Sequence, residues 1–208
     1  MNPRIVLIGG GEHARVLIEA ARSMPGPHEV IGFVDPEPCE ETTRRLGVPR
    51  LGGEEILVQH PGAAGVLGFA APDARERRRE AVRRLSPLVT GWARLIHAAA
   101  WVSPTATVGE GAVIMAGAVV QGGAIIGAHG IVNSGAVVEH DVVLGEHVHV
   151  GPGATVGGAA RVGAMTHIGL GAAVRDHISV GADAIIGMGA VVVRDVRAGA
   201  TVMGVPAR

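Results

Sequence analysis

From residue 102 onward an aliphatic residue returns at every sixth position without a break: Val102, Val108, Ile114, Val120, Ile126, Val132, Val138, Leu144, Val150, Val156, Val162, Ile168, Val174, Val180, Ile186 and Val192. Chance does not sustain such a register, so the period is structural. Two positions before the aliphatic the residue is small or β-branched (Ala106, Ala112, Ala118, Ala124, Gly130, Ala136, Val142), and one position after it glycine is common (Gly109, Gly127, Gly145, Gly163, Gly181). The unit is a short strand, a sharp corner and another short strand. Six residues with one inward aliphatic bury nothing alone, so the units must stack as a solenoid. Glycine at the corners is expected to supply the backbone angles of tight bends.

Residues 1–96 follow a different grammar. Arg4–Ile8 reads as a buried strand, Glu12–Ser23 has helical spacing through Val16, Leu17, Ala20 and Ala21, and Glu29–Val34 is a second strand ending at Asp35. This is a β-α-β unit. Residues 51–58 predict a short helix, 65–69 a third strand, 73–85 a charged amphipathic helix, and 88–96 a fourth strand. In that charged helix Arg75, Arg77, Arg78, Arg79, Arg83 and Arg84 interleave with Glu76 and Glu80, which predicts an exposed, salt-bridged face. The expected organisation is an α/β Rossmann-like domain over 1–96 and an all-β parallel β-helix over 97–208.

Composition narrows the function. Lys plus Arg total 18 against 19 Asp plus Glu, a net charge of −1, so no basic excess exists to neutralise a nucleic-acid backbone. The 33 glycines and the scarcity of aromatics (Phe33, Phe69, Trp92, Trp101) suit an interior of repeated narrow cross-sections. Cys39, the single cysteine, supports neither an internal disulfide nor a cysteine-based metal site. The apolar run 5–8 is too short for a secretory signal, and no stretch is long and apolar enough to span a bilayer. A soluble, cytoplasmic protein without membrane partners is expected.

Gly9-Gly10-Gly11-Glu12-His13-Ala14 fits G-x-G-x-x-A between a strand and a helix, with Asp35 at the end of the next strand. That context suits a phosphate at a helix N-terminus and an acid on a ribose or base. Gly9, Gly11, His13 and Asp35 are the candidate substrate-binding residues. The alternative is a turn required only by strand-helix packing. Fewer than a hundred residues hold half of a doubly wound sheet, so the ligand is of mononucleotide size.

The hexads resemble the left-handed β-helix of the hexapeptide-repeat acyltransferases, in which three hexads make a triangular coil of eighteen residues. On that coil His149 stacks on His167 and His129 on His147, while Gly122, His140 and Gly158 share one column. A histidine between glycines is expected at an open corner, with the Gly158 amide accessible. His140 and His149 differ by half a coil, so they face different sides of one prism and share a site only across a subunit interface. Histidine exchanges protons near neutral pH, which makes this cluster the catalytic candidate. His129, His147 and His177 are expected at the surface. No clustered carboxylates accompany the stacked pair, and no metal is expected.

Four segments extend the resemblance over essentially the whole chain: residues 6–16 (VLIGGGEHARV), 31–35 (IGFVD), 133–141 (NSGAVVEHD) and 204–208 (GVPAR). They are similar to the sialic-acid and sugar-nucleotide acetyltransferases. The resemblance implies acetyl-CoA as co-substrate, a homotrimer, and acetylation of an amino or hydroxyl group of a sugar for surface glycan or polysaccharide precursors. It implies His140 as general base, supported by Asp141, with Asn133 in the active site and the Gly158 amide on the thioester oxyanion. His149, Gly158, Ala173 and the tail residues Val205 and Pro206 fall in the region that grips coenzyme A. Two departures bear on the nucleotide: Glu12 replaces a glycine before His13, and the usual Gly-Asn after the third strand is here Gly68-Phe69. A noncatalytic nucleotide-sugar-binding trimeric scaffold and a β-helix hydratase with interfacial zinc are the alternative readings.

Overall fold

The structure is a computed structural model that describes residues 3–26, 28–71 and 74–208; Pro72 and Asp73, within the expected departure segment and helix, lie outside the described residues. The chain forms two compact units, Met1–Ala98 and Ala99–Arg208.

The first unit runs β1 (Arg4–Ile8), α1 (Glu12–Ser23), β2 (Glu29–Val34), α2 (Glu40–Leu46), β3 (Arg50–Gly52), a 3-10 turn (Glu54–Gln59), β4 (Ala64–Leu67), α3 (Arg75–Leu85) and β5 (Leu95–Ile96). Four strands form a parallel sheet in the order β3-β2-β1-β4. Central β1 is apolar on both faces, as a strand covered on both sides must be. α1 buries Ala14, Leu17, Ile18, Ala20 and Ala21. Val6, Ile8, Val34, Leu57, Leu67, Ala81, Leu85 and Trp92 form one core cluster.

Two expectations are corrected here, and one helix is added. The short helix expected over 51–58 begins only at Glu54 and is a 3-10 helix to Gln59, because Leu51 and Gly52 belong to β3, which Gly52 ends at φ 149°. β3 can pair because Gly32 lacks a side chain; a Cβ there would lie 2.5 Å from Leu51 Cγ. Residues 88–96 do not form a continuous strand but a single bridge, Gly65 to Trp92, and the two-residue β5. The Trp92 indole occupies the space over Gly65, and its Nε1 donates to Ser86 Oγ at 2.9 Å. Helix α2 was not anticipated; it carries Glu40 and Glu41 in its first turn, Arg44 and Arg45 in its last, and closes on Gly47 at φ 66°.

The second unit is a left-handed parallel β-helix of two-residue strands, from Trp101–Val102 to Thr201–Val202. Up to Val191–Val192 the strands pair eighteen residues apart, as Ile125 with Val143, Val143 with Arg161 and His149 with His167, whereas the last turn is two residues shorter and pairs Ile185 with Thr201. The hexad aliphatics from Ile114 to Val192 are all buried, and so are the small residues two positions earlier, such as Ala118, Ala136 and Ala154. Both point inward, and the narrow triangular interior sets their size.

The glycines divide into two kinds, which corrects the expectation that those after the aliphatic supply corner angles. Gly127, Gly145 and Gly163 have ordinary φ and are small because the next coil is close; a Cβ on Gly145 would lie 2.6 Å from the Ala164 nitrogen. The left-handed corner falls three residues after the aliphatic, in every hexad from Val108 to Ile186. One column of these corners is all glycine: Gly117, Gly135, Gly153, Gly171 and Gly189. The others admit His129, Asp141, His147, Ala159, Met165, His177 and Asp183, all at positive φ. An L-residue in this region costs about 1–2 kcal/mol, so each has to be held by its surroundings.

Candidate active site

His140 sits at the corner between the strands Val137–Val138 and Val143–Leu144, one residue before the left-handed Asp141. That backbone turn brings the neighbouring side chains together: His140 Nδ1 lies 3.0 Å from Asp141 Oδ2. A carboxylate only accepts, so Nδ1 donates the proton and Nε2 carries the lone pair. Both side chains are exposed. The hydrogen bond that Nδ1 donates to Asp141, then the charges of Asp141 and Glu139, hold the imidazole above its ordinary pKa against the opposing effect of desolvation.

The column Gly122, His140, Gly158 forms, with one difference from the expected open corner. The His140 ring covers Gly158, which is buried; a Cβ on that glycine would lie 2.7 Å from His140 Nε2. The Gly158 carbonyl accepts from the His177 N–H at 2.9 Å, whereas the Gly158 N–H bonds to no described residue.

Asn133 and His149 make a second group, in the sheet of Ile131–Val132, His149–Val150 and His167–Ile168. The Ser134 N–H donates to Asn133 Oδ1 at 2.8 Å, which turns the Asn133 Nδ2 amide toward His149 Nε2 at 3.1 Å. Nε2 therefore accepts, and the proton of a neutral His149 ring belongs on Nδ1. The His167 ring stands edge-on to His149, centroids 4.9 Å apart. This group lies on a different side of the prism from His140 and Gly158. One chain thus carries two separate groups.

Ala173 is half-buried in the next coil, between Thr155 and Val191, and Val205 and Pro206 are exposed. Leu170, Met188 and Met203 are exposed large apolar residues of the same late coils. They went unremarked in the sequence, although Leu170 and Met188 stand one coil apart beside the all-glycine corner.

His129 and His147 are corrected from surface to interior: both are buried, their rings stacked with centroids 4.9 Å apart. His177 is exposed. Among the described residues no group of three or more His, Cys, Asp or Glu lies close enough to hold a metal ion.

In the first unit the glycine loop joins the C-terminal ends of three strands. Gly9 takes φ 99° and its N–H donates to the Val34 carbonyl at 2.7 Å. Gly10 packs on Phe33, and its N–H donates to Asp35 Oδ2 at 2.7 Å. Gly11 opens α1 with free space where a side chain would stand. The departure at Glu12 is harmless to an anion: its side chain is 95% exposed and turned to Arg15. Burial, and then the charge of Arg78, push His13 down to about 4, so the imidazole is neutral at physiological pH. Its Nε2 is buried and has no hydrogen-bond partner among the described residues.

Arg78 departs from the expected exposed face. It is buried, its Nη1 donates to the Phe69 carbonyl at 2.5 Å, and burial lowers it to about 10. Arg79 with Glu76 and Arg83 with Glu80 make the expected surface pairs.

Known proteins place these features in one family. Residues 4–81 match the PglD N-terminal domain. Over its full length the chain is 34% identical to the acetyltransferase domain of PglB from Neisseria gonorrhoeae in complex with acetyl coenzyme A, covering 99% of that chain at a TM-score of 0.89. It is likewise 34% identical to PerB from Caulobacter crescentus in complex with CoA and GDP-perosamine, covering 100% of this chain and 97% of that one at a TM-score of 0.89. WeeI from Acinetobacter baumannii shares the fold at 22% identity and a TM-score of 0.63, with 99% of each chain covered. No curated protein is significantly similar in sequence. The chain belongs to the PglD-like family of sugar acetyltransferases.

Proposed function

We propose that the chain transfers the acetyl group of acetyl-CoA to the amino group of a nucleotide-linked amino sugar, as a cytoplasmic homotrimer supplying precursors of surface polysaccharide. The observation that carries this reading is the His140 ring, tied to Asp141 through Nδ1 and turned by Nε2 to the backbone of Gly158. A relative of the same identity and coverage is a GDP-perosamine N-acetyl transferase in complex with CoA and GDP-perosamine, which favours nitrogen over oxygen as the acceptor.

In this mechanism the sugar amine attacks the acetyl carbonyl carbon while His140 Nε2 takes its proton. Asp141 keeps the proton of Nδ1 in place and stabilises the imidazolium. The Gly158 N–H meets the oxygen of the tetrahedral intermediate. The carbon-sulfur bond then breaks, and the coenzyme A thiolate leaves with the proton returned by His140. Asn133 and His149 lie on another side of the prism, so they join His140 only from a neighbouring subunit. The exposed Leu170, Met188 and Val205, with half-buried Ala173 beside them, offer apolar surface to the pantetheine arm. In the first unit, Gly9, Gly11, His13 and Asp35 hold the nucleotide.

The test is release of free thiol from acetyl-CoA with UDP- and GDP-linked 4-amino sugars, together with the mass shift of the sugar product. The His140→Ala variant is expected to lose transfer while still binding coenzyme A. Turnover near the wild-type rate in that variant removes His140 from the role.

A further inference from the structure

We infer that Arg77, held in place by the Phe69 ring, is the cation that receives the diphosphate of the nucleotide sugar at the glycine loop. This rests on the nucleotide-sugar reading above and extends it to residues that no part of the glycine motif contains.

Phe69 follows the C-terminal end of β4, beside the loop that leaves β1. Its Cδ1 lies 3.1 Å from the position a Cβ on Gly9 would occupy. The Arg77 guanidinium carbon lies 5.4 Å from the centroid of the same ring. A single phenyl ring therefore bridges Gly9 and the guanidinium. Arg77 is exposed and has no acidic partner among the described residues. The acid of that helical turn, Glu76, is engaged by Arg79 at 2.8 Å.

The charge pattern of α3 independently points to an anion. Arg75, Arg77 and Arg78 share its first turn with one acid, Glu76, so the turn is net positive where the helix dipole disfavours cations. An anion at this end offsets the repulsion. The loop itself contributes only N–H groups, one of which is already used by Asp35, and a diphosphate needs a full positive charge beside such donors. Guanidinium supplies one with bidentate geometry.

Phe69 cannot donate a hydrogen bond, and its part is to position Arg77: the ring face attracts the guanidinium and restricts its rotamers.

The experiment compares wild type, Arg77→Gln, Arg77→Lys and Phe69→Leu by steady-state kinetics, and by calorimetric binding of UDP, GDP, UMP and GMP. Arg77→Gln is expected to raise KM for the nucleotide sugar about tenfold or more, leave KM for acetyl-CoA unchanged, and remove the preference for diphosphate over monophosphate. Arg77→Lys should restore part of the loss, and Phe69→Leu should give a smaller increase in the same KM. Thermal melting of Arg77→Gln is expected to match wild type, since the side chain is exposed. An Arg77→Gln enzyme that keeps the diphosphate preference overturns this inference alone. A wild-type protein that binds neither UDP nor GDP overturns the nucleotide reading beneath it as well.

Discussion

The His140 imidazole lies on the space that a side chain at position 158 would fill, with Nε2 only 2.7 Å from the site of the missing Cβ. In the proposed mechanism the general base and the oxyanion donor are therefore two parts of one packing arrangement. Gly158→Ala should push the ring aside and lower kcat by about 10² or more. The melting temperature should change little, because an exposed imidazole can swing away. Unchanged kcat in that variant would separate the two groups.

With His140 as the proposed base, its raised pKa is expected to set the acid limb of the reaction. Only the neutral ring accepts a proton, so kcat/KM should fall as pH drops through a value above 6.5. Asp141→Asn removes the bond that favours the imidazolium and should move that limb to lower pH. It should also reduce the plateau rate, since the tautomer is no longer fixed. A pH profile of the two enzymes checks both effects, and an acid limb that stays in place would assign it to another group.

His13 should make the first unit sensitive to acid. Its folded pKa of about 4 lies below the ordinary 6.5, so the unfolded chain binds the extra proton between those values. Stability then rises with pH across that window. At pH 4 the loss approaches about 3 kcal/mol as an upper estimate. Urea melts of wild type and His13→Gln at pH 7 and pH 4.5 should show a smaller drop in the variant.

The two classes of glycine in the prism should respond differently to alanine. At Gly145 the added carbon meets the Ala164 backbone at 2.6 Å, and the coils must separate, at a cost of about 1–3 kcal/mol or more. At Gly153 there is open space, and the cost is the left-handed backbone alone, about 1–2 kcal/mol. Gly145→Ala should lower the melting temperature further than Gly153→Ala.

The prism was legible because its period is local: each inward Val, Ile or Leu can be located from the one six residues earlier. The columns followed from the coil length, and the pairings of His149 with His167 and His140 with Gly158 are present. What the pattern did not reveal was the direction taken by side chains at the corners. His129 and His147 are interior because each ring covers the face of the other, and an isolated hexad contains no such information. The same limit hid Arg78 among its neighbours. Six arginines in one helix look alike until packing selects the one whose guanidinium reaches the Phe69 carbonyl. Helix α2 escaped because its Thr42 and Thr43 are weak helix formers, and Thr42 is there to bond the Gly10 carbonyl.

Pairing between residues eighteen apart also constrains how the second unit can change in length. One added or deleted residue would turn every later side chain to a different face and separate histidines from their columns. A whole extra turn between residues 190 and 200 would leave His140, Gly158 and His149 where they are and merely heighten the stack. Variation within the coils up to Val192 is thus quantised, with the triangular turn as its unit, and only the last turn, where Ile185 meets Thr201, departs from that length.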